Sequence, residues 1–391
     1  MTSTKKFDFA NRTEESALSR RLFVAGLLSV PACANAAEIS GRSEEPASQI
    51  VQDIGDMLIM GFSGHTIESD SANALAAHIA AGRAAGVCFI KGNVGTREEV
   101  LALTALLSAH AKIAPLIAID HEGGNVQRLT ARLGFTDLPS EQHVAATLSP
   151  DQARSLYAKA GAELAAAGFT VNLGPVVDLY YPDSPDIGAR GRAFGDDPAQ
   201  IVAYADAFIA GFASSGIRCA LKHFPGTGSA RSDSHLGPAD LSATWTPKDL
   251  EPFRRIIANR RADIIMSSHF RVAALDPSLA PVTVSRAAIT GVLRNQLEFS
   301  GIAMTDDLDM KSITETMDRR EAVIGALAAG NDLLMIFNQE NYDPDLPQTV
   351  VRWVEEAVRS GTLAAAAISQ SATRVRRLRQ RISAQRSRAD P

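Results

Sequence analysis

Asp306 is the residue of this 391-residue sequence whose position best suits a nucleophilic carboxylate. It directly follows the apolar run Gly301–Thr305, which predicts a buried strand that would aim the Asp306 side chain at one end of a rigid element. Asp307 and Asp309 lie close by and are alternative candidates. Since successive side chains of a strand point to opposite faces, Asp306 and Asp307 are expected to diverge. Paired with an acid/base group, such a carboxylate can carry out retaining glycoside hydrolysis.

A candidate for the acid/base group lies in the segment 222–235, whose sequence is KHFPGTGSARSDSH. The small residues Gly226–Ala230 predict a mobile loop that could carry His235 over a bound substrate. Asp233 is two residues away, and a carboxylate that binds an imidazole orients the ring and favours its protonated form. Such a histidine can donate a proton near neutral pH and take one back. Without further context, the same residues are also compatible with an ordinary surface loop.

Polar residues follow four of the apolar runs that predict strands. These polar segments are Asp120–Gly124, Lys222–His223, Ser267–His269 and Thr305–Asp307. Charged groups at the ends of buried strands are costly unless they are paired or used. In a barrel of parallel strands, the carboxyl ends meet at one rim, which is where such barrels hold their chemistry. The sequence therefore predicts a site at this rim.

Eight short apolar runs predict the strands that must position these groups. They are Met57–Phe62, Gly86–Ile90, Leu116–Asp120, Phe169–Leu173, Cys219–Lys222, Ile264–Ser267, Gly301–Thr305 and Asp332–Ile336. Their largely continuous apolar character is typical of parallel strands buried on both faces. Segments with apolar residues three and four positions apart separate the runs and predict helices. These segments are Glu98–Ala111, Asp151–Ala167, Asp196–Ala213, Lys248–Asn259 and Arg319–Ala329.

This alternation predicts an α/β fold, a (β/α)₈ TIM barrel that forms a single catalytic domain. The alternative is an open doubly wound sheet, which usually has a glycine-rich dinucleotide fingerprint after its first strand. The segment Met60–His65 does not supply one. Beyond the last predicted strand, Arg374–Arg388 is rich in arginine and has an apolar stripe of Val375, Leu378 and Ile382. We expect a solvated surface helix there, with anion binding as the alternative.

Composition excludes some classes of protein. The hydrophobic fraction is 46% and the charged fraction 21%, values that are typical of a globular protein rather than a disordered one. The formal net charge of −5 gives no indication of a nucleic-acid partner, which usually meets a basic face. Cys88 and Cys219 lie inside apolar runs and are expected to be buried thiols. The cysteine spacing does not match a metal site.

Residues 1–37 are expected to form an export signal. Arg20 and Arg21 precede the apolar run Leu22–Ala32, and Ala34–Ala36 provides a small-residue cleavage site. The arginine pair is similar to a twin-arginine signal, which would direct the folded protein to the periplasm. The apolar run is far shorter than the roughly 20 residues of a membrane-spanning helix.

Two alternatives remain for this segment. Cys33 could be lipidated at a weak lipobox, or the segment could be an amphipathic tail of a cytoplasmic protein. Residues 38–46 are interpreted as a linker, and residues 47–391 as the barrel with its C-terminal helices.

Five motifs in one order resemble family-3 glycoside hydrolases of the β-N-acetylhexosaminidase type. They are Asp120–Arg128, Asn172–Asp178, Arg192–Pro198, Lys222–Gly226 with Asp233–His235, and Thr305–Met310. The resemblance spans about Ile54–Ile336. It implies a barrel that removes terminal β-linked N-acetylglucosamine with retention, through a covalent glycosyl-aspartate, without a metal or organic cofactor. The implied partner is a small carbohydrate, either a peptidoglycan fragment or a short chitin oligomer.

The resemblance also implies a role for each matching residue. Asp306 matches the family's nucleophile, and His235 with Asp233 matches its histidine acid/base. The matching sugar-binding positions are Asp120, Arg128, Arg192, Lys222 and His223. We expect His269 and Asp178 to support these residues rather than to touch the sugar.

Two residues depart from the family pattern, and several functions remain open. Thr227 stands where histidine is frequent, and Asn125 where arginine is common, so the fine substrate preference is open. A histidine acid/base fits the hexosaminidase branch, because family-3 β-glucosidases generally use a carboxylate from a second domain. A β-glucosidase, a phosphorylase and a muropeptide-binding protein without turnover are the alternatives. A barrel lyase or aldolase would need a Schiff-base lysine, for which Lys222 is the candidate.

Overall fold

The computed structural model describes the backbone of residues 45–389 and the side chains of residues 49–386. The predicted export signal, its arginine pair and Cys33 lie outside the described residues. The first described helix, α1, begins at Glu45, so the last two residues of the predicted linker 38–46 are helical. In the described part of the chain, no helix combines the length and the apolar character needed to cross a membrane.

Eight parallel strands close into a barrel, as the sequence predicts. In chain order they are β1 Leu58–Met60, β2 Gly86–Phe89, β3 Leu116–Ile119, β6 Val171–Asn172, β7 Arg218–Phe224, β8 Ile264–Ser267, β9 Ile302–Asp307 and β10 Leu333–Ile336. Each barrel strand pairs with the barrel strands that come before and after it in the sequence. The first, β1, also pairs with the last, β10, and this pairing closes the barrel. A two-stranded antiparallel sheet, β4 His121–Gly123 with β5 Val126–Gln127, follows β3 and was not predicted.

Helices surround the barrel. They are α1 Glu45–Gly55, α2 Asp70–Ala80, α3 Arg97–Ser108, α4 Glu141–Thr147, α5 Pro150–Ala166, α6 Pro198–Ala213, α7 Glu251–Ala258, α8 Lys311–Thr314, α9 Arg319–Ala329, α10 Leu346–Arg359 and α11 Ala365–Ala389, with a π-helix at Ala287–Gln296. All eight predicted strands and all five predicted helices are present, and α9 has the predicted bounds. Some ends follow from capping: Asp318 and Glu321 form a capping box at the start of α9.

The apolar core has two large parts, and alternate residues of a strand contribute to each. Ile264 and Met266 of β8 point into the barrel, whereas Ile265 between them packs against the surrounding helices. Cys88 and Cys219 are buried free thiols, as predicted, one in each part of the core. The barrel is therefore filled by side chains, and this rigid core holds the residues at its rim.

The C-terminal helix α11 is not the solvated surface helix that the sequence suggested. Its stripe of Val375, Leu378 and Ile382 is buried and packs onto the apolar interior of the barrel. Arg379 donates to Asp56 at 2.5 Å and to two backbone carbonyl oxygens just before β3. The helix thus covers the amino-terminal end of the barrel, opposite the rim that holds the polar residues. The prediction was wrong because periodicity reveals an apolar stripe but not the surface that covers it.

Candidate active site

A cavity of about 360 Å³ lies at the carboxyl end of the barrel strands. Seven predicted site residues line it: Asp120, Arg128, Arg192, Lys222, His223, His235 and Asp306. The other three predicted residues, Asp233, Asp178 and His269, each contact the side chain or backbone of a residue that lines it. The structure therefore brings all ten predicted residues into one region.

Asp306 lies at the end of β9 with its side chain in the cavity, and the two competing aspartates are engaged elsewhere. Asp309 accepts two hydrogen bonds from Arg319, at 2.7 and 2.9 Å. Asp307 accepts hydrogen bonds from the backbone N–H groups of Phe337, at 2.9 Å, and of Asp309, at 3.1 Å. The geometry therefore favours Asp306 as the carboxylate that is free to react.

Asp307 is a buried carboxyl group beside this position. Burial raises the pKa of Asp307 well above its usual range, and the charges of Asp309 and Asp306 raise it further. The side chain therefore keeps its proton to a higher pH than an ordinary aspartate. Because an amide can replace a neutral carboxyl group as hydrogen-bond acceptor, Asp307→Asn should keep the free energy of unfolding within about 1 kcal/mol near neutral pH. Asp307→Ala should lower it by about 1–3 kcal/mol, because two partly buried N–H groups lose their acceptor.

The raised pKa of Asp307 also fixes the direction of a pH effect. The folded protein holds a proton that the unfolded chain releases above about pH 4. Stability contributed by this proton is complete below that pH and declines as the pH rises towards the folded pKa. Asp307→Asn should remove part of this decline in urea unfolding measured from pH 4 to pH 8. Equal destabilisation by Asn and Ala at neutral pH would contradict a neutral Asp307.

A network of buried charges forms the floor of the cavity. Asp120 accepts hydrogen bonds from Lys222 Nζ at 2.7 Å and from Arg128 Nη2 at 2.9 Å. Glu122, in β4, accepts two bonds of 2.9 Å from Arg192 and lies 2.6 Å from Lys222 Nζ. Sequence reasoning missed Glu122, although it lies two residues after Asp120 in the same motif. Such paired carboxylates and multi-donor cations can bind vicinal sugar hydroxyls through charge-assisted hydrogen bonds.

The charge state of Lys222 bears on the lyase alternative. Burial alone would lower the pKa of Lys222, but the carboxylates of Asp120 and Glu122 outweigh it and raise the pKa above its usual range. Burial would likewise raise the pKa of Asp120, but Lys222 and Arg128 hold it well below its usual range. The amine is therefore held protonated by two anions. A Schiff-base lysine needs a neutral amine, so this environment disfavours a lyase or aldolase.

His223 is oriented by a buried carboxylate. Its Nδ1 lies 2.8 Å from Asp178, while its Nε2 lies 3.4 Å from Arg192 on the cavity side. Asp178 also accepts a 2.6 Å hydrogen bond from the backbone N–H of Thr227 and a bond from its hydroxyl. Thr227 is therefore buried behind His223 and contacts its support, whereas the other unusual residue, Asn125, lines the cavity. Of the two residues that depart from the family pattern, Asn125 is the one that a ligand in the cavity could contact directly.

His235 lies on the segment between β7 and α7. Its Nδ1 is 2.6 Å from Asp233 Oδ1, which also accepts a 2.9 Å hydrogen bond from the His235 backbone N–H. The His235 side chain is 56% exposed and that of Asp233 only 13%. The carboxylate thus orients the imidazole and leaves its other nitrogen available to a ligand.

His269 follows β8 and links the end of β9 to the short 3-10 helix Val282–Val284. Its Nδ1 contacts the Thr283 hydroxyl at 2.9 Å, and its Nε2 contacts the backbone oxygen of Asp307 at 2.8 Å. Burial lowers the pKa of His269 despite the opposing charge of Asp306. A neutral ring with both nitrogens bound to protein suits the supporting role that the sequence suggested.

Asp186 and Arg190 also line the cavity and were not predicted. They lie in the irregular loop after β6, where no periodicity or motif marks them. Among the described residues, Asp186, Asp233 and His235 bring metal-binding atoms within 4.8 Å of one another. Arg190 forms ion pairs with both carboxylates, so its guanidinium already supplies the positive charge that a metal ion would bring to this cluster.

Comparison with known proteins agrees with the barrel fold and identifies its family. Residues 49–378 match the family described as glycosyl hydrolase family 3 N terminal domain. A protein of Aromatoleum aromaticum named beta-hexosaminidase is 35% identical over 284 residues, which cover 69% of this chain and 76% of that protein.

Two solved structures are similar along most of this chain. A beta-N-acetylhexosaminidase of Beutenbergia cavernae DSM 12333 is 28% identical with a TM-score of 0.75, and the match covers 84% of this chain and 98% of that one. A family 3 beta-N-acetylglucosaminidase of Paenibacillus sp. str. FPU-7 is 29% identical with a TM-score of 0.77. That match covers 85% of this chain but spans only 62% of the Paenibacillus chain. The chain described here belongs to glycosyl hydrolase family 3 and is a glycoside hydrolase.

Proposed function

We propose that the protein is a retaining β-N-acetylhexosaminidase that hydrolyses terminal, non-reducing β-linked N-acetylglucosamine. The observation that carries the proposal is that Asp306 and His235 line the same cavity. The carboxylate of Asp306 has no ion-pair partner among the described residues, and His235 is oriented by Asp233. A retaining mechanism needs a nucleophile and an acid/base group around one anomeric carbon. The names of the two similar solved structures, a beta-N-acetylglucosaminidase and a beta-N-acetylhexosaminidase, support the acetamido sugar as substrate.

In the first step, the Asp306 carboxylate attacks the anomeric carbon while His235 donates a proton to the leaving oxygen. The glycosidic bond breaks, and an ester forms between the sugar and Asp306. In the second step, neutral His235 removes a proton from water as the water attacks the anomeric carbon. The ester bond breaks, Asp306 returns as a carboxylate, and the product keeps the β configuration. Asp233 stabilises the imidazolium before the first step and after the second.

The floor of the cavity positions the sugar for this reaction. We assign the hydroxyl contacts to Asp120, Arg128, Arg192, Lys222 and His223. Because these groups are already paired with one another, they are held in place before the sugar binds, which lowers the entropic cost of ordering them. No step of this mechanism requires a metal or an organic cofactor.

An aryl-glycoside assay tests the proposed function. The enzyme should release aryl alcohol from an aryl β-N-acetylglucosaminide but not from the matching β-glucoside, and phosphate should have no effect. Release that depends on phosphate would instead identify a phosphorylase. That outcome has a physical basis, because a histidine acid/base adds no second negative charge to repel phosphate. Release from the glucoside would identify a β-glucosidase, and release from neither would favour a binding protein without turnover.

We further propose that the natural substrates are peptidoglycan fragments or short chitin oligomers that the enzyme meets in the periplasm. The supporting feature is the sequence of residues 1–37, with its arginine pair and small-residue cleavage site. Replacing Arg20 and Arg21 by lysine in the full chain should abolish delivery to the periplasm. The measurement is the fraction of enzyme in the periplasmic extract, with Lys5→Arg and Lys6→Arg as a control. Unchanged delivery of the double lysine variant would contradict a twin-arginine route.

A further inference from the structure

A row of alternating charges connects the floor of the cavity with the acid/base pair. In spatial order it consists of Glu122, Arg192, Asp186, Arg190, Asp233 and His235. At one end, Arg192 is buried and fixed to Glu122 by two hydrogen bonds of 2.9 Å. In the middle, Asp186 lies 2.5 Å from Arg192 and 3.1 Å from Arg190. Each charge in the row has an oppositely charged neighbour, so each stabilises the position of the next.

The far end of the row needs such support, because the segment that carries His235 is weakly anchored. The hydrogen bonds that Asp233 accepts from His235 are local, and the neighbouring Leu236 is 75% exposed. Two ion pairs join this segment to the loop after β6. One joins Arg231 to the highly exposed Asp183, and the other joins Arg190 to Asp233 at 3.7 Å. The second pair is partly sheltered and acts on the carboxylate that holds His235.

We infer that Arg190 is a positioning residue, which holds Asp233 and His235 over the cavity and balances the charge of their carboxylate. This role rests on the proposed acid/base function of His235. Arg190 contacts Asp233 from one side while Asp186 fixes the guanidinium from the other. At 3.7 Å the contact with Asp233 is a charge interaction rather than a hydrogen bond.

The electrostatic part of this role has a defined direction. Burial raises the pKa of Asp233, but hydrogen bonds from His235 and the charges of His235 and Arg190 outweigh burial and lower it. The other titratable groups that face His235 are Asp186 and His269, with Asp306 and His223 across the cavity. Removing the Arg190 cation makes this surrounding charge more negative, which favours the protonated imidazole. The protonated, acid-competent enzyme would then persist to higher pH.

The first test measures hydrogen exchange of residues 226–238 in the wild-type protein and in Arg190→Gln. We expect exchange about 2- to 5-fold faster in the variant, the factor that corresponds to a partly exposed ion pair. Arg190→Lys should restore most of the protection, because it keeps the charge. Arg231→Gln is the matched control, since it removes an exposed ion pair from the same segment. This measurement does not depend on turnover, so it still decides the inference if the aryl-glycoside assay contradicts the proposed function.

The second test measures kcat/KM against pH with an unactivated disaccharide, N,N′-diacetylchitobiose. In Arg190→Gln, kcat should fall with little change in KM. The alkaline limb of the pH profile, where activity is lost as the acid group gives up its proton, should move to higher pH by about half a unit. Arg190→Lys should leave the limb in place. Asp186→Asn should speed loop exchange in the same way, and the double variant should exchange no faster than either single one, because both changes break the ion pair between Asp186 and Arg190. The alkaline limb of Asp186→Asn should not move to higher pH, because this change removes an anion and keeps the Arg190 cation.

Three results would overturn the inference. The first is that Arg190→Gln has the same hydrogen exchange in residues 226–238 and the same alkaline limb of the pH profile as the wild-type protein. Another is a rise of KM with kcat unchanged, which would make Arg190 a substrate contact instead. The third is a fall of kcat with an unmoved alkaline limb and unchanged loop exchange, which would show that Arg190 acts on neither Asp233 nor the loop.

Discussion

Asp306→Asn should lower kcat for every β-N-acetylglucosaminide by about 10³-fold or more, because an amide is too weak a nucleophile to form the glycosyl ester. The loss should be similar for activated and unactivated leaving groups, since both depend on the same attacking atom. The fold should persist, because the Asp306 side chain lies in the cavity and accepts its hydrogen bond from the adjacent backbone N–H of Asp307. Steady-state kinetics with an aryl glycoside, together with a thermal unfolding scan, measure both quantities.

The control for this variant is Asp183→Asn. It makes the same chemical change on a side chain that is 75% exposed and paired with the exposed Arg231. Near-normal turnover is expected. Near-normal turnover by Asp306→Asn would exclude it as the nucleophile and return Asp307 and Asp309 to consideration.

His235→Ala should produce a loss that depends on the leaving group. With an unactivated disaccharide, kcat/KM should fall by about 10²- to 10⁴-fold, because the departing oxygen needs a proton. With an activated aryl glycoside, kcat/KM should fall much less, since that leaving group departs as an anion. Asp233→Asn should show the same pattern with a smaller loss, because the ring keeps a partner but loses the stabilising charge.

The control for His235→Ala is Leu236→Ala, a truncation of the exposed neighbour on the same segment. It should not discriminate between the two substrates. An equal loss by His235→Ala on both substrates would argue against an acid role and would make His235 a binding residue.

The sequence predicted the barrel because its strands are buried on both faces. Continuous apolar runs such as Ile264–Ser267 are short and clearly bounded, and the structure has this strand at the predicted residues. The short strand β6 was predicted as Phe169–Leu173 but is only Val171–Asn172. Apolar burial continues at both ends of the strand, so hydrophobicity could not reveal where strand pairing begins and ends.

The position of α11 required information that periodicity does not contain. The stripe of Val375, Leu378 and Ile382 was evident, but an amphipathic helix rich in arginine fits a protein surface as well as a barrel end. The acceptors that decide between them are distant in the chain. Arg379 pairs with Asp56, and Arg374 pairs with Asp332, each at the start of a strand.

The site was predictable where motifs marked it, at Asp306, His235 and the charged floor. The alternatives Asp307 and Asp309 could be set aside only when their hydrogen bonds were visible. Asp186 and Arg190 could not be predicted, because charged loop residues carry no pattern that separates a buried contact from a solvated one. Their effect on Asp233 depends on how the loops after β6 and β7 meet.

The covalent intermediate provides the most direct test of the central claim, a retaining hexosaminidase with Asp306 as nucleophile. His235→Ala should still react with an activated aryl β-N-acetylglucosaminide, but it lacks the base for the second step, so the glycosyl-enzyme should accumulate. Rapid acid quench, proteolysis and peptide mass spectrometry would locate the sugar. The account predicts one N-acetylhexosamine on the peptide that contains Asp306, at that residue. A sugar on another residue, or turnover with no adduct and an inverted product, would contradict it.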